Sequence, residues 1–205
     1  MTRKLGSFLM ILGTVLILGA LSLFLYNRYE EANAGKTVEA VLPQLQVVIR
    51  ENMVESSEVT EVVVPEETEP VILEMTEVEI DGYGYIGYLS IPTLNLELSV
   101  MSEWDYPRLK ISPCRYSGTT MEDNLTIAAH NYARHFGPIR NLAAGDSVVF
   151  TDMDGQIIYY EVAAVDILVP TAIEEVTSGN FDLTLFTCTY GGKSRVVVYC
   201  NRVEE

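Results

Sequence analysis

The chain has 205 residues, 48% of them hydrophobic, and a formal charge of -16. Such an acidic chain excludes nucleic acid as a partner, because phosphate binding needs a basic surface, and excludes electrostatic docking on anionic lipid. Cys114, Cys188 and Cys200 are an odd number, so at least one is free or bonded to another molecule, and no small-domain disulfide framework is present.

Residues 1-28 read as a cytoplasmic tip and a membrane anchor. Phe8 to Tyr26 carries no charge, and at ~1.5 Å per residue it crosses most of a hydrocarbon layer. Arg3 and Lys4 precede it, whereas Arg28 is offset by Glu30 and Glu31, so the bias of basic residues places the N-terminus in the cytoplasm and the bulk outside. The competing reading is a cleaved signal peptide with Ala32-Asn33-Ala34 as its small-residue site, but the apolar run is long for one. Residues 29-80 read as an extracellular stalk. Val38, Val41, Leu42 and Leu45 predict a helix from 29 to about 50, with Pro43 kinking or ending it. From Glu51 to Ile80 there are ten acidic residues, no lysine or arginine, and prolines at 65 and 70, a composition that predicts an extended or disordered spacer.

Residues 81-205 change character to short apolar runs cut by turns. Strands are predicted at Tyr85-Ile91, Leu94-Met101, Leu125-His130, Ser147-Asp152, Ile157-Leu168, Leu183-Cys188 and Arg195-Asn201. Asp154-Gly155 marks a hairpin and Gly191-Gly192 separates the last two strands. Helical pieces are short: Trp104-Lys110, His135-Leu142 and Ile173-Thr177. This pattern predicts a mainly β fold, a closed or nearly closed barrel.

The chemistry-bearing residues stand at strand ends. Thr184-Leu185-Phe186-Thr187-Cys188 ends one strand in a thiol, and Arg195 heads the next. If the two pair, thiol and guanidinium face each other. Leu125-Thr126-Ile127-Ala128-Ala129 delivers His130 at a third strand end. A thiol, an imidazole and a fixed cation are what acyl transfer through a thioester needs. Taken singly, each has an ordinary structural reading: a buried strand cysteine, a strand-end histidine, a surface cation paired with a carboxylate. His135 is expected to face solvent, Arg202 lies at the far end of the strand that Arg195 starts, and Lys193 sits in a Gly-Gly turn. No CxxC, HExxH or histidine cluster points to a metal, and Asp152-Met153-Asp154-Gly155 starts like a calcium loop without its later ligands. No Gly-x-Ser-x-Gly elbow is present.

Thr184-Leu185-Phe186-Thr187-Cys188, with His130 and Arg195, resembles the sortase family of Gram-positive bacteria and its Thr-Leu-x-Thr-Cys signature. Ala129 stands where that family often has glycine. The resemblance covers Tyr83 to Val203 and implies the eight-stranded sortase barrel, an N-terminal membrane anchor, and a cysteine transpeptidase. It implies that Cys188 attacks an LPXTG-like sorting signal between Thr and Gly, that His130 is the acid and base, and that Arg195 holds substrate and oxyanion. Thr187 would help position substrate, and Pro170, Ile173 and Val176, in the connection from Val169 to Asp182, would line a groove for the signal. That connection is too short for the helical insertion of class B members, and the subclass stays open. No cofactor is implied. Glu174-Glu175 is the nearest approach to the calcium site of some class A members, and two carboxylates are weak grounds for one. The implied acceptor is an amine, from a cell-wall peptide or a pilin lysine. Two alternatives remain open at this point: an extracellular cysteine protease that uses water, and a non-catalytic peptide-binding barrel.

Overall fold

The computed structural model describes residues 2-58 and 74-204. Helix α1 (Thr2–Glu58) runs from the apolar N-terminal segment through Pro43 without a break. It is followed by β1 (Val78–Ile80), β2 (Tyr83–Ile91), β3 (Leu96–Met101), α2 (Tyr106–Leu109), β4 (Cys114–Ser117), β5 (Leu125–Ala128), β6 (Ser147–Asp152), β7 (Ile157–Leu168), α3 (Ile173–Val176), β8 (Leu183–Cys188) and β9 (Arg195–Val203). The strands pair in the order β1-β2-β3-β4-β5-β8-β9-β7-β6, and β6 pairs again with β2. That last pairing closes eight strands, β2 to β9, into a barrel, which leaves no long unpaired edge. The three-residue β1 hangs outside the ring on the start of β2.

Alternation of burial along the strands fills the interior. Leu89, Ile91, Leu98, Val100, Leu125, Ile127, Phe150, Tyr160, Leu183, Leu185 and Val198 form one cluster. Each fully buried aliphatic or aromatic side chain contributes about 1.5–3 kcal/mol by leaving water, so this interior dominates the stability of the barrel. Cys200 belongs to this cluster and Cys114 to a second one outside the ring, and both are free, buried thiols rather than a pair. Burial pushes each thiol up to about 12, which keeps both protonated.

The second cluster shows where the helical part of the expected stalk lies. Val41, Leu45 and Ile49 of α1 pack against Ile80, Tyr85, Met101, Cys114 and Met153. Ala34 and Val38 continue the same face. Spacings of three and four residues put these side chains on one stripe. Pro43 lies on the exposed side of that stripe, where its ring meets solvent. A proline inside a helix costs about 3 kcal/mol, less than the burial of three or four such side chains returns. Packing therefore overrides the local signal, and α1 lies on the barrel instead of standing off it. Its second half ends against the β6–β7 turn: Asn52 Nδ2 donates to the Met153 carbonyl at 2.9 Å. Gly155, at φ +80, leaves room for the Met53 side chain, which an added Cβ would strike. The carboxylate of Asp152 accepts from the backbone N–H of Asp154 and of Gln156. The acidic Asp152-Gly155 stretch is thus a hairpin turn that docks a helix. Residues 59-73, with both expected stalk prolines, lie outside the described residues.

Candidate active site at the ends of β5, β8 and β9

Strand register brings the three chemical groups together. β5 and β8 are parallel, with Ala128 opposite Phe186. Two residues further on each strand, His130 comes level with Cys188. The continuation is held by Ala129 N–H donating to the Phe186 carbonyl at 3.2 Å and by Thr187 Oγ1 donating to the Ala129 carbonyl at 2.8 Å. β8 and β9 are antiparallel, and Cys188 is directly opposite Arg195. Histidine, cysteine and arginine therefore stand side by side on three adjacent strand ends. Thr187 borders the site, but its hydroxyl is committed to Ala129, so it fixes the distance between the strands carrying His130 and Cys188.

Cys188 is half-buried on the wall shared by two clefts. One, of about 250 Å³, is lined by Trp104, Tyr106, Tyr116, Phe186, Arg195 and the β7–β8 connection, including Pro170, Ile173 and Val176. Its aromatic floor is built by contact: Trp104 and Tyr116 lie 5.0 Å apart, and Tyr116 meets Phe186 edge-on at 5.1 Å. Val176 is buried against the barrel, whereas Ile173 is exposed. The other cleft, of about 510 Å³, is lined by His130, Tyr132, Lys110, the loop after Cys188, and by Phe24, Asn27, Arg28, Glu30 and Glu31 of α1.

Helix α1 is tied to the barrel beside the histidine. Glu30 pairs with Lys110 at 3.3 Å, Glu31 accepts from the Ala133 N–H at 2.6 Å, and Glu39 pairs with Arg134. His130 stacks on Tyr132, ring centroids 4.4 Å apart and planes 12° from parallel. Partial burial, then the Lys110 cation, lower the pKa of His130, while Glu30 opposes them. A neutral imidazole is the result at neutral pH, ready to accept a proton from the thiol.

His135, expected to face solvent, is fully buried behind Tyr132 and against the backbone of α1. Burial lowers its pKa to about 4, which keeps it uncharged at neutral pH, and its full burial keeps it from contact with a substrate. Arg195 donates from Nη1 to the carbonyls of Gly192 and Ser194 at 3.2 and 3.1 Å. No carboxylate among the described residues pairs with it, so the rest of its donor fork is available to a substrate. Arg202 instead pairs with Asp123 at 2.9 Å, at the far end of β9. Glu174 and Glu175 edge a shallow hollow with Asp166, and no three His, Cys, Asp or Glu groups among the described residues converge as a metal would require.

Sequence reasoning did not find Lys110, Tyr132, Trp104 or Tyr116, nor Glu30 and Glu31. Lys110, Tyr132 and Trp104 sit on short loops with no periodic pattern, Tyr116 sits in the four-residue β4, and the two glutamates reach the site only because α1 folds back on the barrel.

A family model described as "Sortase domain" matches residues 89–203, more than half of the chain. Sortase A of Bacillus anthracis is 27% identical over 126 residues, a match spanning 58% of this chain and 60% of that protein. Sortase C1 of Streptococcus agalactiae has a similar structure, with TM-score 0.54 and 26% identity over 62% of this chain and 72% of that one. A Clostridium perfringens sortase D5 transpeptidase shares the fold with TM-score 0.60, at 20% identity over 82% of this chain and 99% of that one.

Proposed function

The chain belongs to the sortase family, and from that premise we propose that it is a membrane-anchored cysteine transpeptidase acting on an LPXTG-like sorting signal. The observation that carries this reading is the register that sets His130, Cys188 and Arg195 on adjacent strand ends, between an apolar groove and a second, polar cleft. The sorting signal lies in the groove of Trp104, Tyr116, Phe186, Pro170, Ile173 and Val176, which suits an extended segment with apolar side chains. The Cys188 sulfur, its proton passing to neutral His130, attacks the Thr carbonyl carbon. The C–O double bond opens to an oxyanion, which Arg195 meets with a charged donor. As the oxyanion collapses, the Thr–Gly C–N bond breaks and His130 returns its proton to the departing glycine amine. A thioester on Cys188 remains.

The acceptor amine approaches through the cleft shared with α1 and attacks the thioester carbon. It gives a proton to His130, which passes it to the leaving sulfur, so thiol and imidazole are regenerated. The acceptor is a cell-wall peptide amine or a pilin lysine. These steps balance without a metal or cofactor. The apolar run Phe8 to Tyr26, whose large side chains are exposed in the protein alone, crosses the membrane with the N-terminus in the cytoplasm and the barrel outside.

The test uses the full chain in lipid nanodiscs, an LPXTG-type peptide, and a glycine-based or diamino acceptor. Mass spectrometry is expected to show peptide joined to acceptor, absent with Cys188→Ala. Cleavage by water alone, at every acceptor, would establish the protease alternative instead. Peptide binding with neither cleavage nor transfer would establish the non-catalytic barrel.

A further inference from the structure

Helix α1 links the apolar span to the active site with no linker between them, since Phe24, inside the span, and Asn27 and Arg28, just past it, line the same cleft as Cys188 and His130. Arg28 is four positions after Phe24, about 6 Å of helix rise. The salt bridge of Glu30 to Lys110 and the bond of Glu31 to the Ala133 N–H begin within the next turn. The barrel is therefore held at the level where the span leaves the membrane. Tyr26 and Tyr29, both exposed, mark that level as aromatic residues do at bilayer interfaces.

On the opposite side of this cleft is the β8–β9 loop. Tyr190, Gly191 and Gly192 line it together with Phe24, so the loop lies at the depth of the last turn of the span. Tyr190 is 89% exposed, more than any other large hydrophobic side chain among the described residues. Gly191 and Gly192, at φ +78 and +71, let the loop turn tightly and push Tyr190 outward. Lys193 follows, also exposed. An aromatic ring with one polar end, fully presented beside a basic residue and level with the end of an apolar helix, fits a lipid headgroup layer. The chain's overall charge of -16 opposes a purely electrostatic contact, which leaves the aromatic insertion to carry it.

We propose that the Tyr190–Lys193 loop enters the headgroup layer of the membrane that holds α1, so that the barrel rests on lipid at two points and the cleft between Cys188 and His130 opens onto the membrane surface. This rests on the reading of Phe8 to Tyr26 as a membrane span, and not on transpeptidation.

The test is tryptophan fluorescence of the full chain in phosphatidylcholine vesicles, plain or brominated near the top of the acyl chains. A Trp104→Phe background removes the native tryptophan. Into it go Tyr190→Trp, Phe24→Trp as the positive reference, and Met121→Trp, which lies in the loop at the opposite end of β5. Circular dichroism melting confirms that each variant is folded. The expected result is quenching by brominated lipid in the Tyr190→Trp and Phe24→Trp variants and none in the Met121→Trp variant. Quenching for Phe24→Trp with none for Tyr190→Trp would overturn the loop contact alone. No quenching for Phe24→Trp would overturn the membrane span and the loop contact with it, whereas the transpeptidase reading is tested separately, by amine transfer with the unsubstituted chain.

Discussion

The groove on one side of Cys188 is made by the barrel alone, from aromatic rings and the β7–β8 connection, whereas the cleft on the other side exists only because α1 closes it. The first is a shape written into strands and their loops. The second is an interface, held by Glu30, Glu31 and Glu39 on the helix and by the packing of Val41, Leu45 and Ile49. Under the proposed function the two halves of the reaction fall to two constructions: recognition of the acyl donor to a rigid barrel surface, and entry of the acceptor to a cleft set by how α1 sits.

The proposed catalytic groups lie between the two, so their loss is expected to disable both halves. Cys188→Ala is expected to abolish transfer, and His130→Ala to lower kcat by roughly 10²–10⁴-fold, measured as product formed per enzyme by mass spectrometry. Circular dichroism should show both variants folded, since each change is a small one at a strand end. Near-normal transfer by His130→Ala would break the assignment of both clefts to one reaction.

A weaker blow aimed at the helix sharpens the difference. Leu45 is fully buried between α1 and the barrel, and Leu45→Ala should destabilise the protein by about 2–5 kcal/mol, read as a lower Tm. Amine transfer should suffer more than thioester formation, because the acceptor cleft depends on the helix and the donor groove does not. The opposite selectivity is expected of Trp104→Ala. It strips one ring from the donor groove and should raise KM for the peptide by about tenfold, as loss of ~1.4 kcal/mol of contact implies, while leaving the preference among amines unchanged.

The smallest effects concern pH. The acid limb of kcat/KM reports His130, which must be neutral to take the proton of the thiol. Lys110 lowers the pKa of His130 and Glu30 raises it. Lys110→Gln should therefore move the acid limb to higher pH, and Glu30→Gln should move it to lower pH. Shifts in the same direction would show that the α1 side does not set the charge state of the base.

The same division explains what could be read from sequence. The β strands carrying Cys188, Arg195 and His130 announce themselves by apolar runs, and their motifs lie at strand ends, where register alone brings them together. β4 escaped because Cys114–Ser117 contains arginine and follows Pro113, so its hydrophobic alternation is too short to see. β1 escaped because Val78–Ile80 sits inside an acidic composition that reads as spacer. The course of α1 through Pro43 was hidden for a physical reason: local propensity names the break, and only the barrel surface beneath Val41 and Leu45 outweighs it. His135 was misplaced likewise, since part of what covers it is α1 near Ala34, whose course over the barrel is not a local signal.

In the proposed reaction Cys188 carries the acyl group between the two clefts. The direct measurement is intact-protein and peptide-map mass spectrometry of the full chain, quenched in acid during turnover of the sorting-signal peptide. The expected result is an adduct of the peptide up to its threonine, located on Cys188 and cleared by added amine with formation of the amide. Transfer that proceeds in the Cys188→Ala variant, or an adduct on Cys114 or Cys200, would contradict it.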